Sequence, residues 1–171
     1  MGIRLHGLLA GLALVAGAAQ AQDAAVWRAL GAWSVIHDAE AGGCRAERDF
    51  DGTGFAIGFE KAGGQMSIVV RLSDPDWTAQ PDGTAEEIDA VFGLQSPWTL
   101  EMVSQTVAGV PGLTLTVPGT VRMAGLFIEE FKAESVMVWS RGEETLGRFD
   151  LFGSRVAFDA VLACQAQTEG F

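Results

Sequence analysis

The sequence predicts an α+β fold in which an antiparallel meander sheet is covered by two C-terminal helices and joined by one disulfide. Apolar and polar residues alternate through most of the chain, and short Gly-containing turns separate the alternating stretches. Near the C terminus the apolar spacing changes to three and four residues, which is typical of helices. We expect one α+β domain, residues 22–171, with a sheet that is bent or in two parts.

The first half of the chain predicts one short helix and then a four-stranded meander. Residues 23–30 place Ala24, Trp27 and Leu30 at helical spacing, and Gly31 would end this helix. Alternation then predicts strands at residues 33–36, 44–48, 55–59 and 66–72. The turns between these strands are short, so neighbouring strands should pair antiparallel.

The second half predicts further strands and then the two helices. Pro and Asp residues make residues 73–84 a loop. Alternation returns at residues 86–92, 98–103 and 113–117. We expect a helix over residues 121–131 capped by Thr120, a hairpin at residues 136–152, and a last helix capped by Ser154. The buried face of the last helix is expected to carry Val156, Ala157, Ala160, Val161 and Cys164.

The first 21 residues have the pattern of a secretory signal peptide. Arg4 supplies a positive charge, residues 5–18 are almost wholly apolar, and Ala19-Gln20-Ala21 is a small-x-small cleavage site. The apolar stretch is short for a membrane span, and no later stretch approaches about 18 uninterrupted apolar residues. Gln22 follows the cleavage site, where a lipid anchor would need Cys. We therefore expect a periplasmic or secreted protein with no membrane span.

The expected mature chain is strongly acidic. It has ten Lys and Arg residues against twenty-two Asp and Glu residues, a net charge of −12, because Arg4 is the one charged residue of the leader. Such a surface repels nucleic acid and anionic membranes, so neither is an expected partner. The charge favours solubility, and it would also suit a basic partner or divalent cations.

Cys44 and Cys164 are the two cysteines of the chain. In an exported protein such a pair predicts one intramolecular disulfide, which would stabilise the fold by about 4–5 kcal/mol in the loop-entropy account. The alternatives are a catalytic thiol and a metal ligand. The sequence disfavours both, because the expected mature chain has one histidine, His37, and no C-x-x-C pair.

The sequence contains few of the residues that most enzymes need. Serine catalysis requires a histidine base, but His37 lies beside a turn and no G-x-S-x-G motif accompanies it. A zinc site would require three or four ligands, which one histidine and two paired cysteines do not supply. The sequence also has no glycine-rich motif that binds phosphate. We expect no catalytic residue, no metal site and no cofactor. The spacing leaves open a pair of carboxylates that face each other across a cleft.

The loop at residues 73–84 carries the candidate binding residues. Asp74 and Asp76 flank Pro75 and precede Trp77. A tryptophan in such a loop either folds back onto the sheet or projects as a contact anchor. We expect it to fold back, and Trp77 is still the first candidate for a contact residue, together with the two aspartates. A calcium loop is disfavoured, since Pro75 and Trp77 interrupt the order of oxygen ligands that calcium needs.

Short motifs near both ends of the expected domain are similar to those of known exported proteins. The motifs are Trp33-Ser34-Val35, Gly43-Cys44-Arg45-Ala46, Trp98 and a Gly153-Ser154 helix start that leads to Cys164. The pattern resembles small exported alphaproteobacterial proteins, and it is more distantly similar to the invasion-associated locus B family. The resemblance implies a periplasmic or surface location and a disulfide, and it assigns no catalytic residue.

Together these observations predict an exported accessory or binding protein that contacts an envelope protein, with no catalysis evident. Its contact surface would be Trp77 and the acidic loop around it. A small envelope hydrolase that uses carboxylates and an inhibitor of a secreted enzyme are the alternatives. A hydrolase would need a pocket in which two acids with shifted pKa values converge. A binding protein would show an exposed aromatic patch, and an inhibitor would show a protruding rigid loop.

Overall fold

Ten strands and two helices make up the part of the chain that the structure describes. The structure is a computed structural model that describes residues 24–107 and 109–168, so the expected leader lies outside the described residues. The elements are β1 (Ala25–Leu30), β2 (Trp33–Asp38), β3 (Gly43–Phe50), β4 (Thr53–Ala62), β5 (Gln65–Ser73), β6 (Ala85–Phe92), β7 (Trp98–Val107), β8 (Val110–Pro118), α1 (Arg122–Ala133), β9 (Val136–Arg141), β10 (Glu144–Asp150) and α2 (Ser154–Thr168).

All ten strands belong to one antiparallel sheet with the order β1-β2-β3-β4-β5-β8-β7-β6-β9-β10. The first five strands form a continuous meander. The next three form a second meander that attaches in reverse order, because β8 pairs with β5. Strand β9 pairs with β6 and β10 pairs with β9. The predicted α+β fold with an antiparallel sheet is confirmed, and the sheet is a single continuous one.

The sheet is strongly curved. The ring centroids of Phe50 in β3 and Phe149 in β10 are 4.8 Å apart, although these strands are third and last in the sheet order. Near them, Arg48 Nη1 donates a hydrogen bond of 2.8 Å to the carbonyl of Asp150. The last strand therefore returns to the third, and the inner face of the sheet encloses the core.

Aromatic side chains of α1 fill this inner face. Phe131 lies 5.7 Å from the rings of both Trp33 and Phe55, and Phe127 lies 4.9 Å from Phe92. All of these side chains are buried. Helix α2 then covers the inner side of β1 to β4. The helices thus close the concave side of the sheet, and the outer face of the sheet carries no helix among the described residues.

The predicted disulfide between Cys44 and Cys164 is confirmed. It joins β3 to α2 with a Cα–Cα distance of 6.1 Å, and both residues are fully buried. Beside it, the backbone N–H of Cys44 donates to Gln165 Oε1 at 3.0 Å. Because both sulfur atoms are bonded to each other, neither cysteine is a nucleophile or a metal ligand in this structure.

The short helix expected at residues 23–30 is wrong. Residues Ala25–Leu30 form strand β1, which pairs with β2 through a tight turn at Gly31, where φ is +66°. Glycine adopts this left-handed conformation without strain. Pairing along a neighbouring strand overrides the local helical spacing of Trp27 and Leu30.

Both expected helix caps are also wrong. The N-cap of α1 is Val121 instead of Thr120, and no side chain caps this helix. Ser154 is the first residue of α2, and its hydroxyl donates to the carbonyl of Phe131 at 2.8 Å, which ties the two helices together. Val156, predicted on the buried face of α2, is 58% exposed, and Phe158 lies on that face in its place.

Candidate functional site

Trp77 lies in a loop that is anchored across the ends of β5, β7 and β8. At one end, the N–H of Asp74 donates to the carbonyl of Pro111 at 3.1 Å. At the other end, Ser104 exchanges backbone hydrogen bonds of 2.8 Å with Gly83 and Thr84. Both ends of the loop are thus held by neighbouring strands, which fixes its path over the sheet.

Asp74 organises this loop through both carboxylate oxygens. Its Oδ2 accepts a hydrogen bond of 2.5 Å from Thr53 Oγ1, and its Oδ1 accepts one of 2.8 Å from the N–H of Asp76. Asp74 is half-buried and Asp76 is exposed. Of the two candidate aspartates, the first therefore positions the loop, whereas the second presents its carboxylate to solvent.

Trp77 folds back and is half-buried, packed against the edge of the core. It also lines a cleft of about 150 Å³, which we call the Trp77 cleft. The other residues that line it include Gln80, Asp82, Glu86, Ser104, Gln105, Thr106, Gly112 and Arg141. One part of the indole therefore packs against the core, and another part borders the polar cleft.

The polar base of the Trp77 cleft is formed by Glu86, Ser104 and Arg141. The carboxylate of Glu86 accepts a short hydrogen bond from Ser104 Oγ, and Arg141 Nε lies 2.8 Å from Glu86 Oε2. The side chain of Glu86 is only 12% exposed. The acid is therefore fixed by a hydroxyl and a guanidinium, and the charges at the base of the cleft balance.

A larger cleft of about 550 Å³ lies on the outer face of the sheet, and we call it the outer trough. Its floor is flat because Gly54 and Ala56 of β4 face outward, whereas Phe55 and Ile57 of the same strand are buried in the core. The polar residues that line it include Asp38, Arg45, Glu47, Asp49, Glu60, Arg71, Ser73, Gln105 and Thr106.

Ion pairs form the walls of the outer trough. Arg45 Nη1 lies 2.7 Å from Asp38 Oδ2, and Arg45 Nε lies 2.5 Å from Glu47 Oε1. On the other side, Arg71 forms a two-pronged pair with Glu60, with 2.6 Å between Nη2 and Oε2. These planar groups are held in fixed orientations, since two-pronged guanidinium–carboxylate pairs have little freedom.

The surroundings of Asp38 favour the ionised form of its side chain. Burial alone would raise the pKa of Asp38, but the hydrogen bond from the N–H of Ala41 and the Arg45 guanidinium outweigh it and hold that pKa below its usual range. Burial would lower the pKa of Arg45, and the carboxylates of Glu47 and Asp38 reverse this and raise it. A general acid needs a raised pKa, so the arrangement at Asp38 is the opposite of what acid catalysis requires.

The outer trough and the Trp77 cleft meet at β7. Gln105 and Thr106 line both of them. A row of paired residues also runs on the outer face from the trough to β7, and the Val107 side chain covers it at the buried Gly112. The row consists of Asp49, Gly54, Ser73, Gly112 and Gln105. The two depressions therefore border the same stretch of β7.

The sequence located the Trp77 loop but missed the outer trough. Its signal was present, since β4 alternates large residues with Gly54, Ala56 and Gly58. The exposure of Phe152, at 84%, was also missed. Alternation predicts that Trp33, Trp98 and Trp139 are core residues; Trp33 and Trp139 are buried, whereas Trp98 is only half-buried. Within residues 24–107 and 109–168, no group of three or more acidic, His or Cys side chains could hold a metal ion.

The chain was compared with protein-family models, with curated proteins and with solved structures, and none of them matches it. No relative therefore assigns a role to the Trp77 cleft or to the outer trough.

Proposed function

We propose that this chain is an exported accessory or binding protein that acts by contact with an envelope partner, expected to be a protein, and not by catalysis. The observation that carries the proposal is the placement of Trp77, which an anchored loop holds at the border of a polar cleft. A rigid, half-exposed tryptophan loses little conformational entropy on binding and is a common energetic centre of contact surfaces.

Several features support a location outside the cytoplasm. The leader pattern of residues 1–21 predicts export. The buried disulfide suits an oxidising compartment. No helix among the described residues is long and apolar enough to cross a membrane. The resemblance to small exported alphaproteobacterial proteins, and more distantly to the invasion-associated locus B family, points the same way.

The paired state of the acids weighs against the hydrolase alternative. Glu47 and Glu60 are in direct ion pairs with arginines, and the pKa of Asp38 is lowered. A pair of catalytic acids would need one carboxyl group that is protonated at neutral pH. The inhibitor alternative is disfavoured by the Trp77 loop, which docks on the sheet instead of protruding.

The charge around Trp77 favours a partner with basic side chains. Asp76 and Asp82 are exposed on the same loop, and the expected mature chain has a net charge of −12. A basic partner would be attracted over a distance and could place a cation against the indole face. We therefore expect binding to weaken as the ionic strength rises.

Affinity capture tests the proposal. The purified protein, Trp77→Ala and Trp27→Ala are immobilised and exposed to the solubilised envelope and periplasmic fraction of the producing cell. Trp27 is a matched control, because it is also half-buried but lies on the edge strand β1. We expect a component retained by the wild type and Trp27→Ala to be reduced at least tenfold on Trp77→Ala, given about 2 kcal/mol or more for a hot-spot residue. Equal retention on all three proteins would contradict the proposal.

A further inference from the structure

Two strongly exposed apolar side chains lie at one end of the sheet. Leu94 is fully exposed and Phe152 is 84% exposed, which makes them the most exposed large apolar side chains among the described residues. Leu94 belongs to the turn between β6 and β7, and Phe152 lies between β10 and α2. Single exposed apolar side chains are common, but neighbouring ones mark interaction surfaces.

Strand pairing brings these two turns to the same end of the sheet. Strands β6 and β10 both end where β9 begins, because each of them pairs antiparallel with β9. The N–H of Gly93 donates to the carbonyl of Val136 at 2.9 Å. On the other side of β9, the N–H of Leu151 donates to the carbonyl of Ser135 at 2.9 Å. Each exposed side chain directly follows one of these donors, and two strand spacings, about 10 Å, separate their strands.

The backbone of Phe152 is fixed although its ring is in solvent. Its N–H donates to Asp150 Oδ1 at 2.9 Å, and its carbonyl accepts a hydrogen bond of 3.0 Å from the indole N–H of Trp33. Trp33 is itself buried in the core. A ring held in this way loses little conformational entropy on binding, which favours Phe152 as the energetic centre of a contact.

The turn that carries Leu94 is fixed as well. The N–H of Gln95 donates to the carbonyl of Phe92 at 2.8 Å, and its side-chain amide donates to Glu134 Oε1 at 3.0 Å. Hydrogen bonds to β6 and to the segment after α1 therefore hold this turn in place.

An open depression of about 550 Å³, which we call the end depression, lies beside this turn. Leu94 borders it on the β6 side and Arg148 borders it on the β10 side, with Ser135 and Val136 between them. A closed cavity of about 150 Å³ already holds a benzene ring, so the end depression has room for a phenylalanine side chain. The guanidinium of Arg148 is placed to face such a ring.

This end of the sheet is not acidic, unlike the chain as a whole. Arg148 and Arg155 are exposed, and neither has an ion-pair partner among the described residues. The acids beside them are Glu134 and Asp150, and Asp150 Oδ2 also lies 4.0 Å from Arg48 Nη2. The expected mature chain has a net charge of −12, so two copies repel each other less here than at the acidic Trp77 loop.

We propose that this end of the sheet is a self-association surface through which two copies of the chain form a symmetric dimer. Phe152 of each copy enters the end depression of the other and lies against Leu94 and Arg148 there. A two-fold contact requires a surface that is complementary to itself, and a projecting ring beside a depression of sufficient size meets this requirement. The same symmetry brings the unpaired arginines of one copy towards Glu134 and Asp150 of the other.

Such a dimer leaves the Trp77 cleft open. Glu86 of that cleft lies near the start of β6 and Arg141 lies at the end of β9, whereas the dimer surface lies at the opposite ends of these two strands. The inference is therefore independent of the proposed function. Two copies would present two clefts, which strengthens binding to a partner that has repeated sites.

Analytical ultracentrifugation of the purified exported protein tests the proposal. We expect a reversible monomer–dimer equilibrium with a Kd of about 100 μM or tighter. Phe152→Ala and Leu94→Ala should each weaken the dimer at least tenfold. Val26→Ala is the control and should leave it unchanged, because Val26 is also strongly exposed, at 64%, but lies on the edge strand β1. Since all three side chains are exposed, the melting temperatures of the dilute variants should stay close to that of the wild type.

NMR on a mixture of labelled and unlabelled copies tests the geometry. We expect intermolecular nuclear Overhauser effects between the Phe152 ring of one copy and the Leu94 methyl groups of the other. Contacts between copies that involve β1 or the Trp77 loop in their place would overturn the proposed arrangement.

The remaining outcomes are equally decisive. A protein that sediments as a monomer at every concentration overturns the inference, and so does a dimer that Phe152→Ala and Leu94→Ala leave intact. A monomer that binds neutral phosphatidylcholine vesicles through Phe152 would show that a lipid surface, and not a second copy, covers this end. None of these results alters the capture that depends on Trp77, so the proposed function stands or falls separately.

Discussion

At the scale of single residues, the main feature of the outer face of the sheet is its ion pairs. Asp38, Arg45 and Glu47 form a half-buried group on β2 and β3, and Arg71 and Glu60 form another on β5 and β4. Exposed ion pairs contribute little to stability, but partial burial and additional hydrogen bonds increase the contribution. These pairs therefore stiffen the outer trough as well as neutralise it.

The Asp38 site gives a pH-dependent prediction. Because the folded-state pKa of Asp38 is lowered, its contribution to stability is present above the unfolded-state pKa of about 3.9 and is lost as the pH falls through the folded-state value. We expect Asp38→Asn to lower the free energy of unfolding by about 1–2 kcal/mol at neutral pH. The deficit should shrink towards zero in strong acid.

Urea unfolding at neutral pH and in strong acid measures this difference. Glu143→Gln is the control, since Glu143 is exposed at the turn between β9 and β10 and should change stability little at either pH. A deficit for Asp38→Asn that is the same at both pH values would show that the carboxylate is not stabilised by its charge.

Some residue-scale features could be predicted from the sequence and others could not. The burial of Trp33 and Trp139 follows from local alternation, and the disulfide follows from the presence of two cysteines in an exported chain. The surroundings of Trp77 come from β7, β8 and Arg141, which are distant in sequence. These residues lie together because their strands pair, and the local sequence pattern does not predict that pairing.

At the scale of elements, β4 shows how alternation shapes both faces of a strand. Phe55 and Ile57 build the core, whereas Gly54, Ala56 and Gly58 keep the outer face low. Strand β1 shows where prediction from apolar spacing fails, because residues 25–30 have helical spacing but form a strand that pairs with β2 through the turn at Gly31. A six-residue segment is too short for intrinsic helix propensity to compete with such pairing.

Two glycines test the packing of these elements. A β-carbon at Gly58 would collide with the carbonyl of Cys44 and the backbone of Arg45, because β3 and β4 approach closely there. We expect Gly58→Ala to lower the free energy of unfolding by at least about 2 kcal/mol. Gly125 lies exposed within α1 with open space around it, so Gly125→Ala should raise the same quantity by about 0.5–1 kcal/mol.

Thermal and denaturant unfolding of both variants measure these effects, and the opposite signs serve as mutual controls. If Gly58→Ala were as stable as the wild type, the close approach of β3 and β4 would have to be relaxed in solution. A destabilised Gly125→Ala would contradict the open, helical environment of that residue.

At the scale of the whole molecule, long-range pairing determines the architecture. Apart from β1, the strands of both meanders could be predicted from the sequence. The pairing of β5 with β8 and of β6 with β9 could not, because hairpin signals report only on neighbours in sequence. The curvature that brings β10 back to β3 could not be predicted from the sequence either. Strand pairing brings residues of β6, β7, β8 and β9 together at the Trp77 cleft, which explains why the sequence indicated Trp77 as a candidate and not the residues around it.

The disulfide holds this architecture together across 120 residues. We expect Cys164→Ser to lower the free energy of unfolding by about 2–5 kcal/mol, since the unfolded chain regains the freedom that the crosslink removes. Chemical unfolding measures the change, with the reduced wild-type protein as the comparison. A midpoint equal to that of the oxidised wild type would show that the crosslink contributes nothing.

We propose that the protein binds its partner through the surface at Trp77. The most direct test is an NMR map of backbone and indole N–H shifts recorded while the captured envelope partner is added to the labelled protein. We predict that the largest changes fall on the Trp77 indole, on residues 74–84 and on Gln105 and Thr106. Changes confined to β1 and α2, with the Trp77 signal unmoved, would contradict the account.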